Sequence, residues 1–396
     1  MPRSFAVTAL AVVLAPIILG AHGATGSTGL AAEHARPIPA VAAARLDLPR
    51  TLSPAEFAAL SASLSEPGGY FDSDNLVSNE TSYLHVLGAI RRAGTRGGVY
   101  VGVGPDQGFS YIAAVRADFA FAIDIRRDNA LVHLLYKAAF EEARNRLEYL
   151  ALLFGRPVPT DLGAWDDRPI EEIVAWVSAQ PACERCVADA RHRLDARIAR
   201  LPMRLSDDDL AVIARVHDTY AAEGLGIRYT SLGRRPRPYY PSYEQLVLER
   251  DRDGNVGSYL ATVEGFRHVQ ELQRRNLVVP VVGDLAGPRA LAAIGAWTRE
   301  RGSRVSIFYA SNVEYYLARD RKLDAFGRNL AALPHDDRSV LVRSLFRGTY
   351  GAMHPHAVPG HLSVQLASPL GAVIDAFGNG EYLSYMDIVA RPLLDP

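Results

Sequence analysis

The run Val99-Tyr-Val-Gly102-Val-Gly104-Pro-Asp106-Gln-Gly108, with Phe119-Ala-Phe-Ala-Ile-Asp124 after it, constrains this chain more than any other feature. Two short, continuous apolar stretches flank a glycine turn. Such stretches suit strands buried on both faces, which belong to parallel sheets with helical crossovers. Phe109 to Val115 reads as the first crossover helix. Asp128 reads as the cap of a long helix from about 129 to 154, with Leu131, Leu134, Leu135, Ala138, Leu147 and Leu150 at helical spacing. The rhythm resumes with strands at 277–284, 304–309, 339–346 and 362–366. Helices are expected from Gly287-Pro288 to Gly302 and from Ser311 to about Leu333. The expected fold is α/β, a Rossmann-like doubly wound, mainly parallel sheet.

Residues 160–276 interrupt this rhythm and read as a mostly helical insertion or lid. The core is thus expected in two parts, 99–159 and 277–396. An N-terminal helical segment, 49–98, precedes it and lines the cleft. In that segment Ser53 caps a short helix at Pro54, and Ser78 caps a second that carries Tyr83, Leu84, Leu87 and Ile90. Residues 1–23 have a positive start, an apolar run and small residues near Gly23, the pattern of a signal peptide. Residues 24–48 read as a flexible linker. The expected location is therefore exported, periplasmic or secreted, with no stable membrane span after cleavage.

The 43 basic residues balance 44 acidic ones, so no bulk charge draws the chain to nucleic acid. Lys occurs only at 137 and 322, which leaves few candidates for Schiff-base chemistry. In open α/β sheets the ligand lies beyond the carboxyl ends of the strands. Here Gly102 and Gly104 let backbone approach a ligand, and Asp124 stands 20 residues after Gly104, where a carboxylate meets ribose hydroxyls. Gln107 replaces the third glycine of a dinucleotide turn, and Asp106 would repel a pyrophosphate. The turn therefore suits a ligand without phosphates and with positive charge.

The runs 99–106, Ala122-Ile-Asp124 and Val282-Gly-Asp284 resemble the first three strand ends of class I S-adenosylmethionine-dependent methyltransferases. The run Phe71-Asp-Ser-Asp-Asn-Leu-Val-Ser-Asn-Glu80 resembles an uncharacterised, exported bacterial family with such a core. The resemblance implies that S-adenosylmethionine is the cofactor. Gly102 and Gly104 would meet its methionine part, Asp124 its ribose and Asp284 its adenine amino group; Asp106 is a further cofactor-binding candidate, as a carboxylate attracts the ligand's sulfonium and ammonium. The chain departs from the pattern at Tyr100, where an acid is usual, and at Asp106, where a glycine is. It also lacks the Asn/Asp-Pro-Pro-aromatic motif of amino-group methylation. Its fourth strand ends Tyr309-Ala-Ser-Asn312-Val-Glu314. Glu80, His85, Tyr309 and Asn312 are the candidate catalytic residues. The implied partner is a small molecule. The alternative is a binding protein that kept the fold without the chemistry.

Three further motifs have structural readings. Ser311 and Glu314 have capping-box spacing. Cys183 and Cys186 read as a local disulfide, since no thioredoxin-like unit surrounds them. His354, His356 and His361 read as the rim of a pocket; no metal ligands are assigned, and a metal-dependent hydrolase is a third reading.

Overall fold

Each long apolar run forms a strand. β1 is Val99–Gly102, β2 Phe119–Asp124, β3 Val278–Val282, β4 Val305–Ser311, β5 Val340–Phe346 and β6 Ser363–Pro369. These come from a computed structural model that describes residues 47–235, 237–346, 354–382 and 384–396. One sheet contains all six in the order β3-β2-β1-β4-β5-β6. β1 to β5 are parallel. β6 runs antiparallel to β5, from Val340 opposite Pro369 to Phe346 opposite Ser363. The fold is therefore α/β with a mainly parallel sheet. Every residue of β1, β2 and β3 is buried, as continuous apolar runs require. The order steps outward from β1 to β3 on one side and from β4 to β6 on the other, so it reverses between β1 and β4.

Pro280 lies within β3, where an interior strand would lose a ladder bond. β3 is an edge strand, paired only with β2, so the missing N–H faces away from the sheet. The Pro280 carbonyl accepts from Ser61 Oγ at 2.6 Å. The helix Pro54–Leu64, opened by a Ser53–Glu56 capping box, thereby covers this edge. The chain then crosses the strand ends: Glu66 N donates to the Val282 carbonyl at 2.8 Å and Gly69 N to that of Ile125 at 2.7 Å. That path delivers residues 70–80 to the cleft.

Four helix expectations need correction. The helix expected at 129–154 is two, Arg127–Glu142 and Arg146–Phe154. Asn145 restarts it by accepting from Glu148 N at 3.0 Å. Asp128 is not the cap; the helix begins at Arg127, whose guanidinium forks onto Asp209 at 2.6 and 2.7 Å. The helix expected from Ser311 splits into Val313–Arg319 and Leu323–Ala331 around left-handed Arg321. The helix expected at Gly287-Pro288 begins at Ala290, because Glu66 Oε1 holds the Arg289 and Ala290 amides at 2.8 and 2.5 Å. Ser78 opens no helix either. The next helix is Leu87–Arg92, because the preceding turn is pinned to the start of β6. Leu362 N donates to Thr81 Oγ1 at 3.1 Å, and the Ser82 and Ser363 hydroxyls lie 2.9 Å apart.

Helices Ile170–Ala179, Glu184–Ile198, Asp207–Glu223, Tyr243–Val247 and Val263–Arg274 occupy the interruption. They form no separate body. Ile173, Leu194, Ile213 and Phe266 share one hydrophobic cluster with the strands. Cys183 and Cys186 are joined. Among the described residues, Tyr229, Ser231, Arg234, Arg237, Tyr239 and Tyr240 are what this region brings to the cleft and its mouth. Among the described residues no helix is long and apolar enough to cross a membrane. The expected signal peptide and the expected linker up to residue 46 lie outside the described residues.

Candidate functional site

Beyond the carboxyl ends of four successive strands lies a cleft with about 1050 Å³ of empty space, its solvent-open part included. Val103 and Gly104 follow β1, Asp124 ends β2 with Ile125 after it, Gly283 and Asp284 follow β3, and Ser311 ends β4 with Asn312 after it. Residues 70–80 and Tyr229 close it from above the strands. This is where an open sheet of reversing order leaves a crevice.

Gly104 shapes the floor. Its φ of +87° is one that L side chains rarely adopt, and an added Cβ would lie 2.7 Å from Gln107 Nε2. His133 Nε2 sits 3.0 Å from the Gly104 carbonyl, and burial holds this imidazole down to about 4, hence neutral. Gln107 turns toward Tyr309, with Nε2 3.3 Å from the phenol oxygen, and its Oε1 is buried without a partner. A buried acceptor on the wall of a cleft is matched by a ligand that donates to it.

Asp124 is on the wall and largely buried. Burial raises its carboxyl above the ordinary value, and Arg126 opposes this. Arg126 N donates to Asp124 Oδ1 at 2.9 Å, and its guanidinium also donates to the Ser73 and Asp74 carbonyls at 2.8 Å each. One cation thus joins the end of β2 to the 70–80 segment. Asp284 is also on the wall, bonded to Ala286 N at 2.9 Å and to Lys322 Nζ at 2.9 Å.

The end of β4 is knotted rather than open. The register of β4 on β5 shifts between Tyr309 and Ser311, and Ser311 has a left-handed φ of 52°. Such irregularities re-aim side chains beside functional sites. Here Ser311 Oγ donates to Glu80 Oε1, while Tyr309 OH donates to Glu80 Oε2 at 2.5 Å. Burial raises the Glu80 carboxyl, and these two hydroxyls hold it back. The proposed Ser311–Glu314 capping box does not form: Asn312 precedes the helix without a side-chain cap, and Glu314 pairs with Arg343 at 2.8 Å. Asn312 lines the cleft, as expected of it. Asn75, the other left-handed non-glycine residue of this wall, lines it too.

The chain matches a family model described as a domain of unknown function (DUF7790) over residues 75–157 and 213–376. It belongs to that family. No curated protein matches it. The strand ends that build the cleft fall inside the two matched segments of DUF7790, and the Cys183–Cys186 pair falls between them.

Two expected cofactor contacts point elsewhere. Asp106 does not line the cleft of this DUF7790 chain. It is buried on the far side of the turn, where Tyr243 and Tyr259 donate to Oδ2 at 2.8 and 3.0 Å. Among the described residues no cation faces it, and burial pushes it up to about 6. Repulsion of a pyrophosphate by Asp106 therefore drops out of the argument. Gly102 does not line the cleft either. A Cβ there would lie 2.1 Å from the Tyr100 hydroxyl, so this glycine makes room for a core tyrosine.

His85 also leaves the cleft. Its Nε2 lies 3.8 Å from Glu249 Oε1, and His361 Nε2 approaches the same oxygen at 3.5 Å. His354 and His356 stay behind on a neighbouring, mostly apolar cavity that His361 also borders. Glu249 has no signal in the sequence, since it lies 164 residues from His85 and carries no motif. Of the acidic run, Asp74 is tied to Thr230 and Asp72 to Arg234, so these carboxylates do not converge.

Proposed function

We propose that the cleft binds an adenosyl ligand of the S-adenosylmethionine kind, in a doubly wound core. One observation carries this reading: Gly104, Asp124 and Asp284 line a single crevice at the reversal point of the strand order. Asp124 at the end of β2 is the ribose carboxylate of the reading, Asp284 the partner of the adenine amino group. The bare Gln107 Oε1 is the acceptor for the ligand's ammonium group. The antiparallel β6 is compatible with a doubly wound sheet, which often carries one such edge strand. Methyl transfer would be in-line attack on the sulfonium methyl, with the protein supplying orientation and proximity.

Binding without transfer is the second reading, and a specific observation favours it. The wall carboxylates are engaged: Glu80 by Tyr309 and Ser311, Asp124 by Arg126, Asp284 by Lys322. A base for an acceptor proton would have to break one of these contacts.

Calorimetry on the purified protein tests the site. Heat is expected with S-adenosylmethionine and S-adenosylhomocysteine, and Asp124→Asn should weaken both at least tenfold. No heat from either at millimolar ligand, or tighter binding of NAD, sinks the proposal. Conversion of bound S-adenosylmethionine to S-adenosylhomocysteine with any acceptor sinks the second reading.

A further inference from the structure

The ring nitrogens of His85 and His361 converge on one oxygen, Glu249 Oε1, at 3.8 and 3.5 Å. The three ligand atoms all lie within 4.8 Å of one another. If plain hydrogen bonds held this group, the nitrogens would sit near 2.7–3.2 Å from the oxygen. Both lie beyond that range, although both side chains are aimed at the atom. The spacing is that of groups around a shared ion. With metal–ligand bonds of roughly 2.0–2.1 Å, ligands at the corners of a tetrahedron stand about 3.3 Å apart. Closure by a few tenths of an ångström onto the carboxylate, and by up to about 1.5 Å between the imidazole nitrogens, would complete such a set.

The surrounding structure fixes all three groups. His85 is on the turn that Thr81 and Ser82 pin to Leu362 and Ser363, next to His361 in the chain. The two imidazoles meet edge to face with centroids 4.4 Å apart. Arg250 N donates to Glu249 Oε1 at 3.0 Å, which sets the carboxylate's orientation. His85 is nearly buried, and the side chains of Glu249 and His361 are 22% exposed, so an ion can reach the group from solvent.

We propose that His85, Glu249 and His361 form a binding site for a divalent zinc-like transition-metal ion. Two imidazoles and one carboxylate are the donor set that zinc and ferrous iron use when coordination positions are kept for water or substrate. The ion would join the turn after residue 80, the second residue after the helix Tyr243–Val247, and the loop before β6. None of the three residues lines the adenosyl cleft, so this site stands or falls apart from that reading.

The test uses the full chain with the Cys183–Cys186 bond intact, stripped with a chelator and titrated with Zn²⁺ by calorimetry. One ion per chain is expected with sub-micromolar affinity, and excess Zn²⁺ should raise Tm. His361→Ala and Glu249→Gln should weaken binding at least a hundredfold and tenfold, while His354→Ala and His356→Ala leave it unchanged. Co²⁺ bound to the unaltered protein should give visible absorption of a four- or five-coordinate ion, a readout that needs no variant to fold. No saturable binding below about 100 µM Zn²⁺ overturns the site. So does affinity that survives His361→Ala or disappears with His354→Ala.

Discussion

Asp106 and Asp124 follow neighbouring parallel strands, and their carboxyl groups are held by opposite means. Asp124 has a guanidinium beside it and faces the cleft. Asp106 has two phenol hydroxyls, no cation, and a setting of buried aromatic rings. A cation stabilises the charged carboxylate, whereas hydroxyls compensate only part of its desolvation. The first arrangement offsets part of the burial of a carboxylate on the cleft wall. The second favours a neutral acid and works as a core contact. Strand position alone thus does not assign a role; the partner does.

The sharpest way to break this contrast is to remove a cation from a fully buried carboxylate. Glu314 and Arg343 form such a pair, both 1% exposed. Arg343→Met should destabilise the protein by about 3–5 kcal/mol in urea unfolding, because Glu314 is left uncompensated. A loss under 1 kcal/mol would mean that hydroxyls and cations are interchangeable here.

Next in size, Asp106→Asn should stabilise the protein at pH 8. The native carboxyl titrates near 6 against an ordinary 3.8, so the native state binds more protons than the unfolded one between those values. Its stability is full below 3.8 and falls as pH rises through 6. The amide lacks this penalty, which is at most roughly 3 kcal/mol. Melting curves of the variant and parent should diverge at pH 8 and converge near pH 4. Equal differences at both values refute the assignment.

Arg126→Met should cost about 2–3 kcal/mol, since Asp124 and the Ser73 and Asp74 carbonyls lose one donor together. Unlike the change at Arg343, it should also loosen residues 70–80, seen as faster amide exchange there. The smallest effect concerns Tyr100. A Cβ on Gly108 would lie 2.5 Å from the Tyr100 hydroxyl and 3.3 Å from its Cζ. Gly108→Ala should therefore destabilise by about 1 kcal/mol. In a Tyr100→Phe background the same change should become neutral or stabilising, as alanine favours helix. An unchanged sign across the two backgrounds would clear Tyr100 of the clash.

The strands were legible because buried parallel strands need continuous apolar runs, and little else in this chain supplies them. The helix breaks were harder. Asn145 sits in a sequence that helix periodicity tolerates, and what stops the helix is its bond to the Glu148 amide. Gly104 and Asp124 were placed at the cleft by spacing. Asp106 was placed there too and is not there, because its carboxylate turns back onto the Tyr243 and Tyr259 hydroxyls. The knot of Tyr309, Ser311 and Glu80 joins residues 229 and 231 positions apart in sequence, and no local pattern announces it. Glu249 was invisible for the same reason.

Tyr100 also dictates the order in which this turn can be altered over generations. Its hydroxyl and ring fill the space that any side chain at 102 or 108 would need. Replacing either glycine meets a clash while the tyrosine stands, so a lineage exploring new turns loses least by shrinking residue 100 first. The history of the floor of this cleft therefore runs through a buried position that never touches its contents.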